Sequence, residues 1–194
     1  MLQSLLEERL RLTTHQESRE FSGYELLVAP SGSKLNPTTV TGSLGPPPET
    51  PYKVVGDKDG YPSLPRGVRQ SALVRNGSTF ARFRDYSLPE LAQWLGPKLG
   101  TTVPNAFGVD GGNLAPARIV DKTGLSGNYD FTLEYEGIFT AMESLPPAMQ
   151  DRLESSSPSI FVALEKQLGL KLQKSKIPTN VIVIDHIEKA PLED

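Results

Sequence analysis

The stretch Ser157 to Glu188, SPSIFVALEKQLGLKLQKSKIPTNVIVIDHIE, constrains the fold more than any other part of the chain. Ser157 reads as an N-cap whose hydroxyl accepts from a first-turn amide. Pro158 follows at the first helical position, where its missing N–H is harmless. Ile160, Phe161, Leu164 and Leu168 recur at helical spacing and form one apolar stripe. Gly169 ends that helix as a left-handed C-cap. Leu170 and Leu172 then alternate with Lys171 and Gln173, which predicts a half-buried strand. Ile177-Pro178-Thr179-Asn180 is a turn signal, and Val181 to Ile184 is a β-branched run suited to a strand covered on both faces.

The chain opens on a similar pattern. Leu6-Glu7-Glu8-Arg9-Leu10-Arg11-Leu12 aligns with Leu164-Glu165-Lys166-Gln167-Leu168-Gly169-Leu170, and at the same offset Tyr24, Leu26 and Val28 fall on Ile182, Ile184 and His186. Residues 1–9 predict a helix. Leu10 to Glu17 and Gly23 to Ala29 predict a hairpin, with Ser18 to Ser22 as its loop. The expected fold is therefore α+β. Two related helix plus β-hairpin units would pack helices on small mixed or antiparallel sheets.

Three segments follow from this reading: a first helix-hairpin unit over 1–30, a Pro/Gly-rich linker over 31–75, and a second α+β unit over 76–194 with a loop insertion at 101–116. The linker carries Pro46-Pro47-Pro48 and Pro62-Ser63-Leu64-Pro65, and its glycine spacings lack the Lys-Ser/Thr of a phosphate loop. Asn76-Gly77 marks a tight turn. Ser87-Leu88-Pro89-Glu90 is a capping box that opens a helix to about Leu99, with Leu88, Leu91, Leu95 and Leu99 on one side and Pro97 disturbing its last turn. Gly108, Gly111 and Gly112 surround Asp110 in a loop without the spaced acids of a calcium site. Ala117 to Asp121 and Asn128 to Glu136 read as strands, and 138–153 as partly helical, broken at Pro146-Pro147.

Composition excludes several functions. The 194 residues form one large domain or two small ones, and a net charge of −3 offers no general attraction for nucleic acid. The absence of cysteine removes disulfides, thiolate catalysis and cysteine-ligated zinc. No apolar run is long enough for a membrane span. No metal cluster or cofactor motif is expected.

The candidate chemistry lies on the strand Asn128 to Glu136. Tyr129, Phe131, Leu133 and Tyr135 alternate with Asp130, Thr132, Glu134 and Glu136, so the acids share one face. Positions i and i+2 on a strand lie about 7 Å apart, and i and i+4 roughly 13 Å. Glu134 and Glu136 thus match the carboxylate separation of an inverting glycosidase, while the simpler reading of the row is the polar face of an edge or half-exposed strand. His186 could serve as a base only with a partner from elsewhere, since Asp185 points to the opposite face. His15 has no metal-ligand spacing around it. Trp94 could stack on a sugar ring or fill the core, and Tyr129 is a second ligand-binding candidate. No G-x-S-x-G elbow is present.

The run Ile119 to Glu134, IVDKTGLSGNYDFTLE, resembles the signature of a large uncharacterised family expanded in acidobacteria. Leu168-Gly169-Leu170-Lys171-Leu172 with Val181 to Lys189 is similar to that family's C-terminus. Leu2 to Leu6, Arg9 to Leu12 and Tyr24 to Val28 are similar to its opening. The resemblance implies an exported protein, periplasmic or secreted. It also implies an export signal and further N-terminal segment that this chain lacks, hence a mature or truncated form. It supplies no catalytic residues. The order of helices and strands also resembles the short N-terminal domain of secretins and TonB-dependent receptors, a protein-contact module. The combined expectation is a non-enzymatic binding or protein-interaction module outside the cytoplasm, meeting a protein partner through a sheet edge. The alternative is a hydrolase of glycans or esters using Asp130, Glu134 or Glu136 with His186. The oligomeric state is left open.

Overall fold

A computed structural model describes residues 9–48, 52–99, 101–102, 114–136 and 157–188. The protein is α+β, and among the described residues two helices, at 88–95 and 160–168, lie with mixed and antiparallel sheets. The first sheet holds β1 (Thr13–Val28) between β7 (Arg118–Asp121), which is parallel to it, and β9 (Leu170–His186), which is antiparallel. The second is antiparallel and has the order β2 (Asn36–Pro37), β8 (Asn128–Glu136), β4 (Ser78–Ser87), β3 (Gln70–Arg75). A small pair joins β5 (Thr101–Thr102) to β6 (Leu114–Ala115). Helix α1 spans Leu88–Leu95, and α2 spans Ile160–Ala163 and continues as a π-turn over Leu164–Leu168.

Local chemistry sets several of these elements. Asn76 and Gly77 both take positive φ, 51° and 76°, which lets a two-residue turn join β3 to β4. At α1, Ser87 accepts the Glu90 amide while the Glu90 carboxylate accepts the Ser87 amide at 2.8 Å. The helix tightens into a 3-10 turn over Gly96–Leu99, where Pro97 falls. Gly169 caps α2 at φ 66°, and a Cβ there would lie 2.0 Å from the Gly32 carbonyl oxygen. That close approach brings the chain after β1 against the end of α2, through Ala29 N–H to Gly169 O and Lys34 N–H to Leu168 O.

The alternation in β8 becomes burial. Tyr129, Phe131, Leu133 and Tyr135 are all buried, and Leu133 is fully so. They join Ala81 and Phe83 of β4, Leu88, Leu91 and Leu95 of α1, Ile160, Ala163, Leu164 and Leu168 of α2, and Leu26 and Leu170 of the first sheet in one core. Phe83 stacks on Phe131 with centroids 4.6 Å apart and meets the edge of Trp94 at 4.9 Å. Truncating one of these leucines or isoleucines to alanine removes roughly 2–5 kcal/mol.

The expected hairpins are absent. Ser18 to Ser22 lies inside a single strand, β1, and Ile177 to Asn180 lies inside β9. The ladder is continuous from Thr14 opposite Ile184 to Val28 opposite Leu170, so Ser18 faces Asn180 and Glu20 faces Pro178. Two weak turn signals thus sit opposite each other, and long-range pairing overrides both. Pro178 is tolerated because β9 is an edge strand, where a missing N–H need not break a second ladder. Nor is a match between the two ends seen among the described residues. Leu26 is fully buried while Ile184, at the same offset, is 58% exposed.

Two smaller corrections concern α2. Its first residue is Ile160, and the Ser157 hydroxyl does not cap it but lies 2.8 Å from Ser78 Oγ and donates to Glu134 Oε1 at 2.7 Å. Phe161 leaves the buried stripe and packs at 5.6 Å against Tyr24. The expected helix over 1–9 and the segment 138–153 lie outside the described residues, apart from Arg9, which is helical, as is Leu10, where the sequence predicts that a strand begins.

Candidate functional site

The even-numbered residues of β8 face away from the core. Asp130 reaches across to the bulge in β4, where the register shifts between Phe83 and Tyr86 and Asp85 takes φ 53°. Its Oδ1 accepts the Asp85 amide at 2.7 Å, and Asn128 Nδ2 donates to the Asp85 carboxylate at 2.7 Å. Its Oδ2 accepts the Thr39 amide at 3.4 Å. The carboxylate thereby ties a left-handed residue of β4 to β8 and to the segment after β2. It also borders a polar cleft of about 420 Å³ with Lys34, Arg82, Arg84, Thr132 and Gln167.

Glu134 is held differently. Its carboxylate accepts from Ser157, and Gln167 brackets its backbone, donating to the carbonyl at 2.7 Å and accepting the amide at 3.0 Å. These bonds fasten α2 and the chain before it to β8. Glu136 stands exposed at the end of the strand, its amide donating to the Pro158 carbonyl at 2.9 Å. Glu134 does not line the cleft of Asp130.

His186 lies in the other sheet. It pairs with Thr13 at the far end of β9, is 57% exposed, and its Nε2 is 3.5 Å from Glu188. The structure does not bring it to the β8 acids. Trp94 sits partly buried between Phe83 and Tyr135, with Lys98 Nζ 3.9 Å from its ring centre, and burial lowers the Lys98 pKa. Tyr129 points into the core, its hydroxyl donating to the Ser126 carbonyl at 3.0 Å. Burial pushes the phenol of Tyr135, further along the same face of β8, up to about 12.

Beside α1, Arg69 forms a two-pronged ion pair with Glu90, Nη1 to Oε1 at 2.5 Å and Nη2 to Oε2 at 2.9 Å. That guanidinium, with the Ser87 bonds, draws the Glu90 carboxyl down to about 2. Arg69 also donates to the Asp85 carbonyl, so the pair braces the same bulge that Asp130 holds.

The sequence predicts a sheet edge without placing it, and the outer edge of β9 is one that the structure shows. Among the described residues β7 pairs only with Gly23 to Leu26, so beyond Gly23 the described strands β1 and β9 continue as a two-stranded ribbon. Val181 to Ile184 is not covered on both faces: Ile182 is 69% exposed and Ile184 58%, with Ile187 near them at 49%. The near half of β9 carries Lys171, Lys174 and Lys176, and the far end carries Asp185 with Glu188 just beyond. The signal lay in the length of strand. Sixteen residues of β1 outrun the four of β7, so among the described residues the apolar tip of the ribbon has no strand beside β1.

Among the described residues no three His, Asp or Glu side chains gather as a metal site, and no helix is long and apolar enough to cross a membrane. No curated protein and no solved structure matches the chain. One family model, described as a protein of unknown function (DUF3738), matches residues 1–187, and the chain belongs to that family.

Proposed function

We propose that the protein is a non-enzymatic interaction module that accepts an added strand along the outer edge of β9. The observation that carries this reading is the exposed isoleucine pair Ile182 and Ile184 on a 17-residue edge strand. A long edge with exposed β-branched residues is a template for pairing with another chain. The expected occupant is β9 of a second copy. Antiparallel pairing about a two-fold axis near Val181 sets Lys174 opposite Glu188, so the basic half of each strand meets the acidic end of the other, and the added ladder forgoes only the bond that Pro178, opposite Ile184, has no N–H to give. The exposed isoleucines of both copies would then lie on one enlarged sheet.

The placement of the β8 acids supports the same reading, since Asp130 and Glu134 act as acceptors that hold the bulge and α2 in place. The extracytoplasmic location implied by the sequence resemblance belongs to the proposal, and fractionation of native cells tests it. Hydrogen exchange tests the edge itself. Outward amides of Val181 to Asp185 should slow as protein concentration rises. Exchange independent of concentration would contradict pairing with a second copy.

A further inference from the structure

A cavity of about 510 Å³ opens where β1 and β9 pass beyond β7 and become the ribbon. Its volume falls within the roughly 300–1,000 Å³ of small-molecule sites. Tyr24 is the cross-strand partner of Lys174, and Ser22 of Lys176, so all four share the face that holds Leu26 and Leu172 one step further along. Leu26 lies in the core, and Leu172 and Leu99 pack against it. The wall therefore changes from apolar to cationic within one pleat: Leu99, Pro116 and Tyr24 on one side, Lys174 and Lys176 at the rim. Gly23 keeps the junction tight, because a Cβ there would lie 2.4 Å from the Arg118 carbonyl oxygen.

The charge at the rim is uncompensated. Among the described residues neither Lys174 nor Lys176 has an ion-pair partner. Arg118 also lines the cavity and is held over the Phe21 ring at 3.9 Å. Glu20, the next carboxylate on this face, stands opposite Pro178 and forms no ion pair. An apolar wall ending in two unpartnered ammonium groups matches a ligand with an apolar body and one anionic end.

We propose that this cavity binds an amphiphilic carboxylate, its head between Lys174 and Lys176 and its apolar body against Tyr24, Leu99 and Pro116. The cavity shares Lys174 with the β9 edge, where a second copy would set Glu188 against it, so the inference is tested on the monomeric Ile184→Lys chain as well as on the wild type.

The test is calorimetric titration with decanoate, below its micelle concentration, and with decanol, on both the wild-type chain and Ile184→Lys. Decanoate should bind more tightly than decanol to both proteins. Lys174→Gln with Lys176→Gln, both surface changes, should weaken decanoate about tenfold or more and leave decanol unchanged. Ala117→Phe, which narrows the cavity, should weaken both probes. Equal affinity for decanol and decanoate, or decanoate binding that survives loss of both lysines, would overturn the proposal. So would a protein that binds phosphatidylglycerol vesicles through these lysines but ignores free decanoate, because the recognised object would then be a membrane surface.

Discussion

His15 Nδ1 lies 2.9 Å from both carboxylate oxygens of Asp185, a contact between residues 170 positions apart. It forms beside the irregularity where Thr13 pairs with His186 and Thr14 with Ile184, so Asp185 is the extra residue in the ladder. The hydrogen bond and charge of Asp185 raise the His15 pKa above its ordinary 6.5. NMR titration should show this, and Asp185→Asn should return His15 toward the ordinary value. Because the folded pKa is the higher one, the clasp is complete below about pH 6.5 and is lost as pH rises through the folded value. The pair is exposed, so added salt should weaken it.

Glu90 has the opposite sign. Its folded carboxyl titrates near 2 against an ordinary 4.5, so the Arg69 pair and capping box stabilise the fold fully above about pH 4.5. That contribution is lost as pH falls toward 2. Urea unfolding at pH 7 and pH 3 should show a smaller acid loss for Glu90→Gln than for the wild type. An equal acid loss in both would place the sensitivity elsewhere.

Asp130 holds the Asp85 amide at 2.7 Å in the β4 bulge. Asp130→Ala leaves that amide without its acceptor and should destabilise by about 1–3 kcal/mol in urea unfolding. Asp130→Asn keeps one acceptor oxygen and should recover part of the loss. Identical stabilities for all three proteins would show that the bulge does not need this side chain.

Gly23→Ala places a methyl 2.4 Å from the Arg118 carbonyl oxygen and 2.8 Å from Ile177 Cγ1. Overpacking of this kind costs about 1–3 kcal/mol. The expected outcome is a lower melting temperature with faster amide exchange in β7, while exchange in β8 stays close to wild type.

The parts of this fold that were legible in the sequence are those decided within a few residues. Ser87 and Glu90 cap one helix between themselves, Asn76-Gly77 turns one hairpin, Gly169 stops one helix, and the period-two pattern of Tyr129 to Tyr135 buries one face. What could not be read depends on distant partners. Ser18 to Ser22 stays extended because Lys176 to Asn180 lies opposite, and neither segment shows that preference alone. Ser157 leaves its helix for Glu134 and Ser78, groups supplied by two other strands. The acids of β8 were found as a row, but their roles depended on the Asp85 bulge and on Ser157, which local spacing does not reveal. The edge of β9 was misjudged for a related reason: a β-branched run looks the same whether a second layer covers it or ends short of it.

Sedimentation equilibrium of the wild-type chain beside Ile184→Lys tests the central claim most directly. Pairing of two β9 edges predicts a monomer–dimer equilibrium in the wild type, weakened by added salt, and a monomer at every concentration for Ile184→Lys, with both proteins equally folded by circular dichroism. A wild-type chain that stays monomeric throughout, or a dimer that Ile184→Lys leaves intact, would contradict it.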